Sequence, residues 1–113
     1  MEDVSAVFGR SEPQVLTVYE AILKRAEALG PCTAEPKKTS IHLVRKTGFA
    51  GVHPQKAALV LNVRLARALP EGSRWKSEQV SKSRWHHEIK LTAPKDVDRE
   101  VIAFLREAYE LAG

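Results

Sequence analysis

Two stretches of helical period flank a middle segment that alternates with the period of a β-strand. In residues 15–29, apolar residues recur at three- and four-residue steps, which predicts an amphipathic helix. Residues 97–111 repeat this pattern and predict a second helix, capped by Asp96 or a near neighbour. Ser11 and Gln14 have the spacing of a capping box, which predicts that the first helix begins at Ser11. Gly30 is expected to end that helix in a left-handed conformation.

The middle of the chain has a period of two. Residues 57–65 give the clearest strand, because odd-numbered apolar side chains alternate there with even-numbered ones such as Arg64. Residues 85–92 alternate again, with Trp85 on the odd side and His86 on the even side. Shorter strands are predicted at 33–37, 39–46 and 49–53, and a further short strand near Trp75 stays open.

The order helix, strands, helix predicts an α+β fold. Short hairpin connections predict a mainly antiparallel sheet of four to five strands. The N- and C-terminal helices are expected to pack on one face, which leaves the other face to solvent. The length of 113 residues predicts one core. Residues 1–10 are expected to be a loose lead-in, with Val7 and Phe8 against the body, and 11–113 a single domain.

Charge is unevenly distributed along the chain. The formal net charge is +4. Residues 31–92 contain twelve basic and four acidic residues and therefore carry +8. Residues 1–30 and 93–113 each contain three basic and five acidic residues and therefore carry −2. A positive field on one element predicts either a docking surface for polyanions or a solvated sheet whose lysines discourage edge pairing.

The composition of the chain restricts the cellular compartment in which the protein is expected. The single cysteine, Cys32, excludes a disulfide within the chain and favours a reducing environment. The longest apolar run, residues 57–61, is far below the roughly 20 residues of a membrane-spanning helix. The acidic start, residues 1–4, does not have the pattern of a secretory signal. These features predict a cytoplasmic protein without a membrane partner.

Motifs for catalysis or metal binding are missing from the sequence. No pair of histidines or cysteines has the C-x-x-C or H-x-x-x-H spacing of a metal site. His86 and His87 are adjacent in a predicted strand, so their side chains are expected on opposite faces. Cys32 follows a helix C-terminus, which raises a thiol pKa and favours a small buried apolar role. The sequence therefore predicts no catalytic residue, no metal and no cofactor.

A series of short motifs, in this order and spacing, carries a resemblance to a known family. The motifs are Lys37-Lys38-Thr39, the FAGVHPQK segment at 49–56, the strands at 59–65 and 85–91, Asp96-Val97-Asp98 and Ala108-Tyr109-Glu110. From about Val15 to Tyr109, the chain resembles an uncharacterised bacterial family, domain of unknown function fifty-six fifty-five. That family is, more distantly, similar to small iron-chaperone-like proteins. The resemblance implies a helix–sheet–helix fold and a bacterial cytoplasmic origin, and it brings no activity and no catalytic residues.

Three functional hypotheses follow. The first is a non-enzymatic binding module whose sheet face engages nucleic acid, a nucleotide or an acidic protein. Its candidate contacts are Lys38, His42, Arg64, His86 and Lys90. The second is a small-molecule or enzymatic pocket between the sheet and residues 66–84, lined by Lys38, His53, Trp85 and His86. The third is a structural domain for protein–protein interaction, of unknown oligomeric state.

Overall fold

A computed structural model describes residues 4–113, which form one antiparallel sheet of six strands and two α-helices. The helices are α1 (Pro13–Leu29) and α2 (Arg99–Leu111). The strands are β1 (Thr33–Pro36), β2 (Ile41–Val44), β3 (Gly48–Pro54), β4 (Leu59–Leu65), β5 (Lys76–Ser81) and β6 (Arg84–Leu91). Both helices contact β4 and each other on one side of the sheet, as the sequence predicts.

The strand order is β1-β2-β3-β4-β6-β5, with every pair antiparallel. Four strands follow one another as a meander, and β6 then pairs with β4 while β5 forms the far edge. The expected count of four to five strands is therefore too low. Trp75 itself lies just before β5, and every side chain of β5 is exposed. No apolar alternation is needed on such an edge, so its sequence shows no strand period.

Helix α1 does not use the expected capping box. Its N-cap is Glu12, whose side chain accepts no capping hydrogen bond from the helix. The Ser11 hydroxyl instead donates to the carbonyl of Gln55 at 2.8 Å, in the turn between β3 and β4. The Gln14 side chain donates to Glu12 at 2.7 Å. The tertiary contact with the turn thus replaces the local cap that the spacing predicts.

Gly30 ends α1, though in another conformation than expected. Its φ of +149° and ψ of −171° are extended and mirror-related to an ordinary strand, a region that glycine alone enters easily. The residue also lies against α2, because a Cβ at this position would collide with the hydroxyl of Tyr109. That hydroxyl donates to the carbonyl of Pro31 at 3.0 Å. Gly30 therefore allows the chain leaving α1 to touch α2.

The core lies between the helices and the covered face of the sheet. Along β4 the odd-numbered side chains are buried and the even-numbered ones are not. In β6 His87, Ile89 and Leu91 are buried in the same way, whereas Trp85 is only partly buried. The register of β2 against β3 shifts after Leu43, and the extra residue, Phe49, is buried against Tyr109 with ring centroids 5.4 Å apart. This bulge puts two consecutive side chains, Phe49 and Ala50, into the core.

Both ends of the described chain are attached to the core. Val4–Phe8 form a 3-10 helix, and Phe8 is buried against Tyr19 with ring centroids 5.3 Å apart. Val7 packs against the same cluster, as the sequence predicts. Residues 1–3 of the expected lead-in lie outside the described residues. At the start of α2, the Asp98 carboxylate accepts from the Val101 N–H at 3.1 Å, so the near neighbour of Asp96 is the cap.

Candidate functional site

The face of the sheet turned away from the helices, the open face, carries polar side chains from edge to edge. One row of cross-strand partners spans all six strands. Its members, in order, are Glu35, His42, Gly51, Asn62, Glu88 and Lys76. A second row places Arg64 beside His86, and His86 beside Glu78. His53 lies close to Gly51, since its Nε2 is 3.6 Å from where a Cβ of that glycine would be.

The +8 of residues 31–92 is not concentrated on this face. The basic residues that alternate onto it are Arg64, Lys76, Arg84 and Lys90, and the acidic residues among them are Glu35, Glu78 and Glu88. Five lysines lie in the turns between strands: Lys37, Lys38, Lys46, Lys56 and Lys82. The remaining arginines, Arg45, Arg67 and Arg74, contact α2. The open face is therefore close to electrically balanced.

Two of those arginines attach the segment between β4 and β5 to α2. Arg67 donates two hydrogen bonds to the Glu107 carboxylate in a bidentate pair, at 2.9 and 3.0 Å. Arg74 donates to Glu100 at 2.7 Å and to Asp98 at 2.9 and 3.0 Å. The indole N–H of Trp75 donates to the same Glu100 oxygen at 2.7 Å. These hydrogen bonds, first that from Trp75, lower the pKa of Glu100.

Arg45 occupies the C-terminal end of α2. Its guanidinium donates to the carbonyl of Tyr109 at 3.0 Å and lies 4.2 Å above the ring of that residue. A cation here satisfies a terminal carbonyl and the negative end of the helix dipole. Arg45 thus serves the fold and is not free for a ligand.

Arg64 affects two histidines on the open face. Partial burial lowers the pKa of His86, and the nearby charge of Arg64 lowers it further. Burial also lowers the pKa of His42, followed by the charges of Lys37 and Arg64. Arg64 itself donates to the carbonyl of Gly48 at 3.0 Å, which holds the guanidinium over that glycine. The positive charge of Arg64 therefore acts on the imidazole rings of both His42 and His86.

A cleft of about 270 Å³ opens at the end of the sheet where β3 begins, β4 ends and β6 begins. Its polar wall consists of Thr47, Gly48, Ser83, Arg64, Arg84 and His86. Its apolar wall consists of Phe49, Leu65, Ala66 and the last turn of α2, with Ala108, Leu111 and Ala112. Leu111 is 55% exposed. Among residues 4–113, Arg64 and Arg84 form no ion pair with an acidic side chain.

The structure brings most of the predicted contact residues to one face. His42, His53, Arg64, His86 and Lys90 alternate onto the open face of β2, β3, β4 and β6. Lys38 lies in the exposed turn between β1 and β2.

Trp85 lies on the covered side instead, with its ring stacked 6.1 Å from that of His87. The predicted lining of Lys38, His53, Trp85 and His86 therefore does not surround one pocket. Of those four, only His86 borders the cleft.

The side chains of His87 and Cys32, the other groups that could carry chemistry, have structural roles. His87 is fully buried, and its Nε2 donates to the Arg67 carbonyl at 2.8 Å, because a carbonyl can only accept. Its Nδ1 can then accept from the Ser77 hydroxyl at 2.7 Å. Cys32 is half-buried against the core, and burial, followed by the charge of Glu27, raises the pKa of its thiol. Within the described part of the chain, no three side chains of the metal-ligating types lie together.

Sequence reasoning missed Thr47, Ser83 and Arg84 as neighbours of a cleft. They lie in turns or at a strand end, where no period assigns a side chain to a face. The available signal was the dense basic and aromatic stretch that contains Arg84, next to Trp85 and His86. Nothing in that stretch indicates that the end of α2 closes the other wall.

Comparison with known proteins gives a family and no closer relative. Searches of curated proteins and of solved structures return no match. The distant similarity to iron-chaperone-like proteins therefore stays a prediction. No helix in residues 4–113 is long and apolar enough to cross a membrane. A family profile described as Domain of unknown function (DUF5655) matches residues 4–112, nearly the whole chain. The protein therefore belongs to the DUF5655 family.

Proposed function

We propose that this chain is a non-enzymatic binding module that holds a small organic anion in the cleft at the end of the sheet. The observation that carries the proposal is the pair of guanidinium groups, Arg64 and Arg84, which border the cleft and form no ion pair with any acidic side chain of residues 4–113. Guanidinium groups suit phosphate and carboxylate because their planar donors match two anionic oxygens. Ligands of this charge are the ones that the cleft attracts.

The apolar wall sets the second requirement on the ligand. Phe49, Leu65 and Leu111 add apolar surface to the cleft that the arginines border. The volume of about 270 Å³ is slightly below the roughly 300–1,000 Å³ that small-molecule sites span, so only a small ligand fits. A mononucleotide, with a charged phosphate and a flat base, combines both properties in one molecule of suitable size.

The open face supports a nucleotide better than a long nucleic acid. Its four basic and three acidic side chains are interspersed, so a polyanion lying across it would meet Glu78 and Glu88 as well as arginines. Affinity for a polyanion comes mainly from neutralised phosphates. A compact ligand in the cleft near Arg84 lies outside the row of Glu88 and meets only the Arg64 and His86 end of the row that contains Glu78.

The test is titration of the ¹⁵N-labelled protein with adenosine 5′-monophosphate, followed by amide chemical shifts. We expect shifts concentrated at Thr47, Gly48 and Ser83, and an affinity that falls at least about tenfold in Arg84→Gln, as for loss of a charge-assisted contact. Lys56→Gln is the matched control, since it removes one exposed positive charge in a distant turn.

Two results would reject the proposal. One is an absence of shifts at low salt with this nucleotide and with inorganic phosphate. The other is binding that weakens equally in Arg84→Gln and in the Lys56→Gln control. A 10-residue oligonucleotide serves as a third probe, because stronger binding of the oligomer, with a steep salt dependence, would favour a nucleic acid over a nucleotide.

A further inference from the structure

The two edges of the sheet differ in how they are protected. Strand β1 has four residues, ends at Pro36 and contacts the 3-10 helix Val4–Phe8. Strand β5 has six residues, contains no proline and exposes every side chain. Unpaired N–H and C=O groups on an edge are a template for a further strand. The β5 edge is therefore the one that can accept another chain.

The sequence of β5 is complementary to itself. Lys76 and Glu78 pair with Glu88 and His86 of β6, which places both on the open face. Ser77 lies between them and points to the other face, where its hydroxyl bonds to His87. If two β5 strands run antiparallel about Ser77, Lys76 of each copy faces Glu78 of the other. Opposite charges at directly facing positions stabilise antiparallel pairs.

The same arrangement continues the charge pattern of the rows on both sides. In one copy the row runs Arg64, His86, Glu78. It would continue in the second copy through Lys76, Glu88 and Asn62, which are consecutive partners there. Basic and acidic groups then alternate across the junction, and no like charges face each other.

We propose that β5 pairs with β5 of a second copy of this chain, antiparallel and centred on Ser77, and joins two six-stranded sheets into one. The register irregularity between Gln79 and Ser81 limits the regular stretch to the first half of the strand. A contact of this length is small, so we expect a weak dimer that forms as concentration rises. The proposal is independent of the ligand in the cleft.

The experiment is sedimentation velocity over a concentration series up to about 1 mM, the range in which weak association is measurable. Lys76→Glu places acidic side chains opposite each other twice, and Glu78→Lys does the same with basic ones. We expect each variant to weaken self-association by about tenfold or more. Both positions are exposed, so circular dichroism should show an unchanged fold.

Mixing the two variants supplies the decisive measurement. Every facing pair in the mixed dimer is again of opposite charge, so the mixture should associate like the wild type, although neither variant does so alone. The double variant K76E/E78K should also associate. Lys56→Glu, with the same change of charge in a distant turn, should leave the dissociation constant unaltered.

Three results would overturn this interface. The first is a wild-type protein that stays monomeric throughout the concentration series. The second is self-association that neither charge reversal weakens, which would place the contact elsewhere. The third is a mixture of the two variants that associates no better than its components. Loss of nucleotide binding has no bearing on any of them.

Discussion

Leu61 and Asn62 are neighbours on β4 and meet opposite environments. Leu61 is fully buried between the sheet and the helices, whereas Asn62 lies in a polar row on the open face. Among the residues that the structure describes, only Ser40 and His87 are both polar and buried, and His87, on the covered face, makes two hydrogen bonds. On the open face three histidines lie among charged side chains and two glycines.

The difference separates what maintains the fold from what is available to a ligand. Close packing on the covered face makes each side chain sensitive to volume. A side chain on the open face can lose its contacts with other side chains and be solvated by water instead, with little change in the free energy of unfolding. Substitutions on the covered face should therefore change mainly the free energy of unfolding. Substitutions on the open face should change it little and should affect mainly ligand binding.

The largest effect is expected from removing volume on the covered face. Leu61→Ala leaves a cavity in the centre of the core and should lower the free energy of unfolding by about 2–5 kcal/mol. Lys90→Ala, on the neighbouring strand and exposed, should change it by less than about 0.5 kcal/mol. Urea unfolding followed by circular dichroism measures both. Equal losses in the two variants would remove the distinction between the faces.

Two glycines sharpen the same comparison. Gly30→Ala should cost about 1–3 kcal/mol, because the positive φ strains alanine and the methyl group displaces Tyr109 from Pro31. Gly51→Ala, on the open face, meets only ordinary contacts with His53 and Asn62 and should be neutral or stabilising by up to about 1 kcal/mol. Thermal unfolding distinguishes them, and a Gly51→Ala variant as unstable as Gly30→Ala would contradict this account.

A smaller effect is expected at the rim of the covered face. Glu100→Gln keeps an acceptor for Trp75 but removes the charge that faces Arg74, at a site about half exposed, so we expect a loss near 1 kcal/mol at neutral pH. The lowered pKa of Glu100 means that its charge stabilises the fold above the ordinary glutamate range. This contribution is lost as the pH falls through the lower folded pKa.

The difference between wild type and Glu100→Gln in chemical unfolding should therefore shrink as the solution is acidified below about pH 4. A difference that is constant from neutral to acidic pH would show that the charge of Glu100 is not its source.

The smallest effect concerns histidine titration on the open face. Arg64→Gln should raise the pKa of His86 and, to a lesser degree, of His42, because it removes a positive charge that opposes their protonation. Lowered histidine pKa values destabilise the fold as the pH falls below the ordinary range of about 6.5. The variant should therefore lose less stability on acidification through that range.

Titration of the imidazole resonances by NMR measures this shift. Lys90→Gln is the control, since Lys90 is not among the charges that perturb either ring. A downward movement of the His86 pKa in Arg64→Gln would contradict the electrostatic origin.

Period was enough to predict the helices and the central strands. The side-chain alternation of β4 and β6 assigned Arg64, His86 and Lys90 to the open face correctly. It also assigned Trp85 to the other face, and Trp85 does not border the cleft that His86 lines. Where a cap or an edge strand depends on tertiary contacts, as at Ser11 and in β5, local sequence carried no usable signal.

The face on which a charged side chain lies was harder to predict from the sequence than the face of an apolar one. A sum over residues 31–92 contains no information on direction, and Arg67 and Arg74 lie in an irregular segment without a period. Their acidic partners are on α2 and at its N-cap, 24 to 40 residues away in the chain. The lining of the cleft could not be predicted for the same reason, because the cleft forms only where the last turn of α2 meets the ends of three strands.

The bulge at Phe49 restricts how the length of this chain can change during evolution. Deletion of Phe49 would make Gly48 and Ala50 adjacent, and both already pair with neighbouring residues of β2, so the rest of β3 would keep its register. It would, however, remove from the core the buried ring that packs against Tyr109. Insertions and deletions should therefore be rarer in the β2–β3 connection than in the segment between β4 and β5, even though Lys46 and Thr47 are themselves exposed.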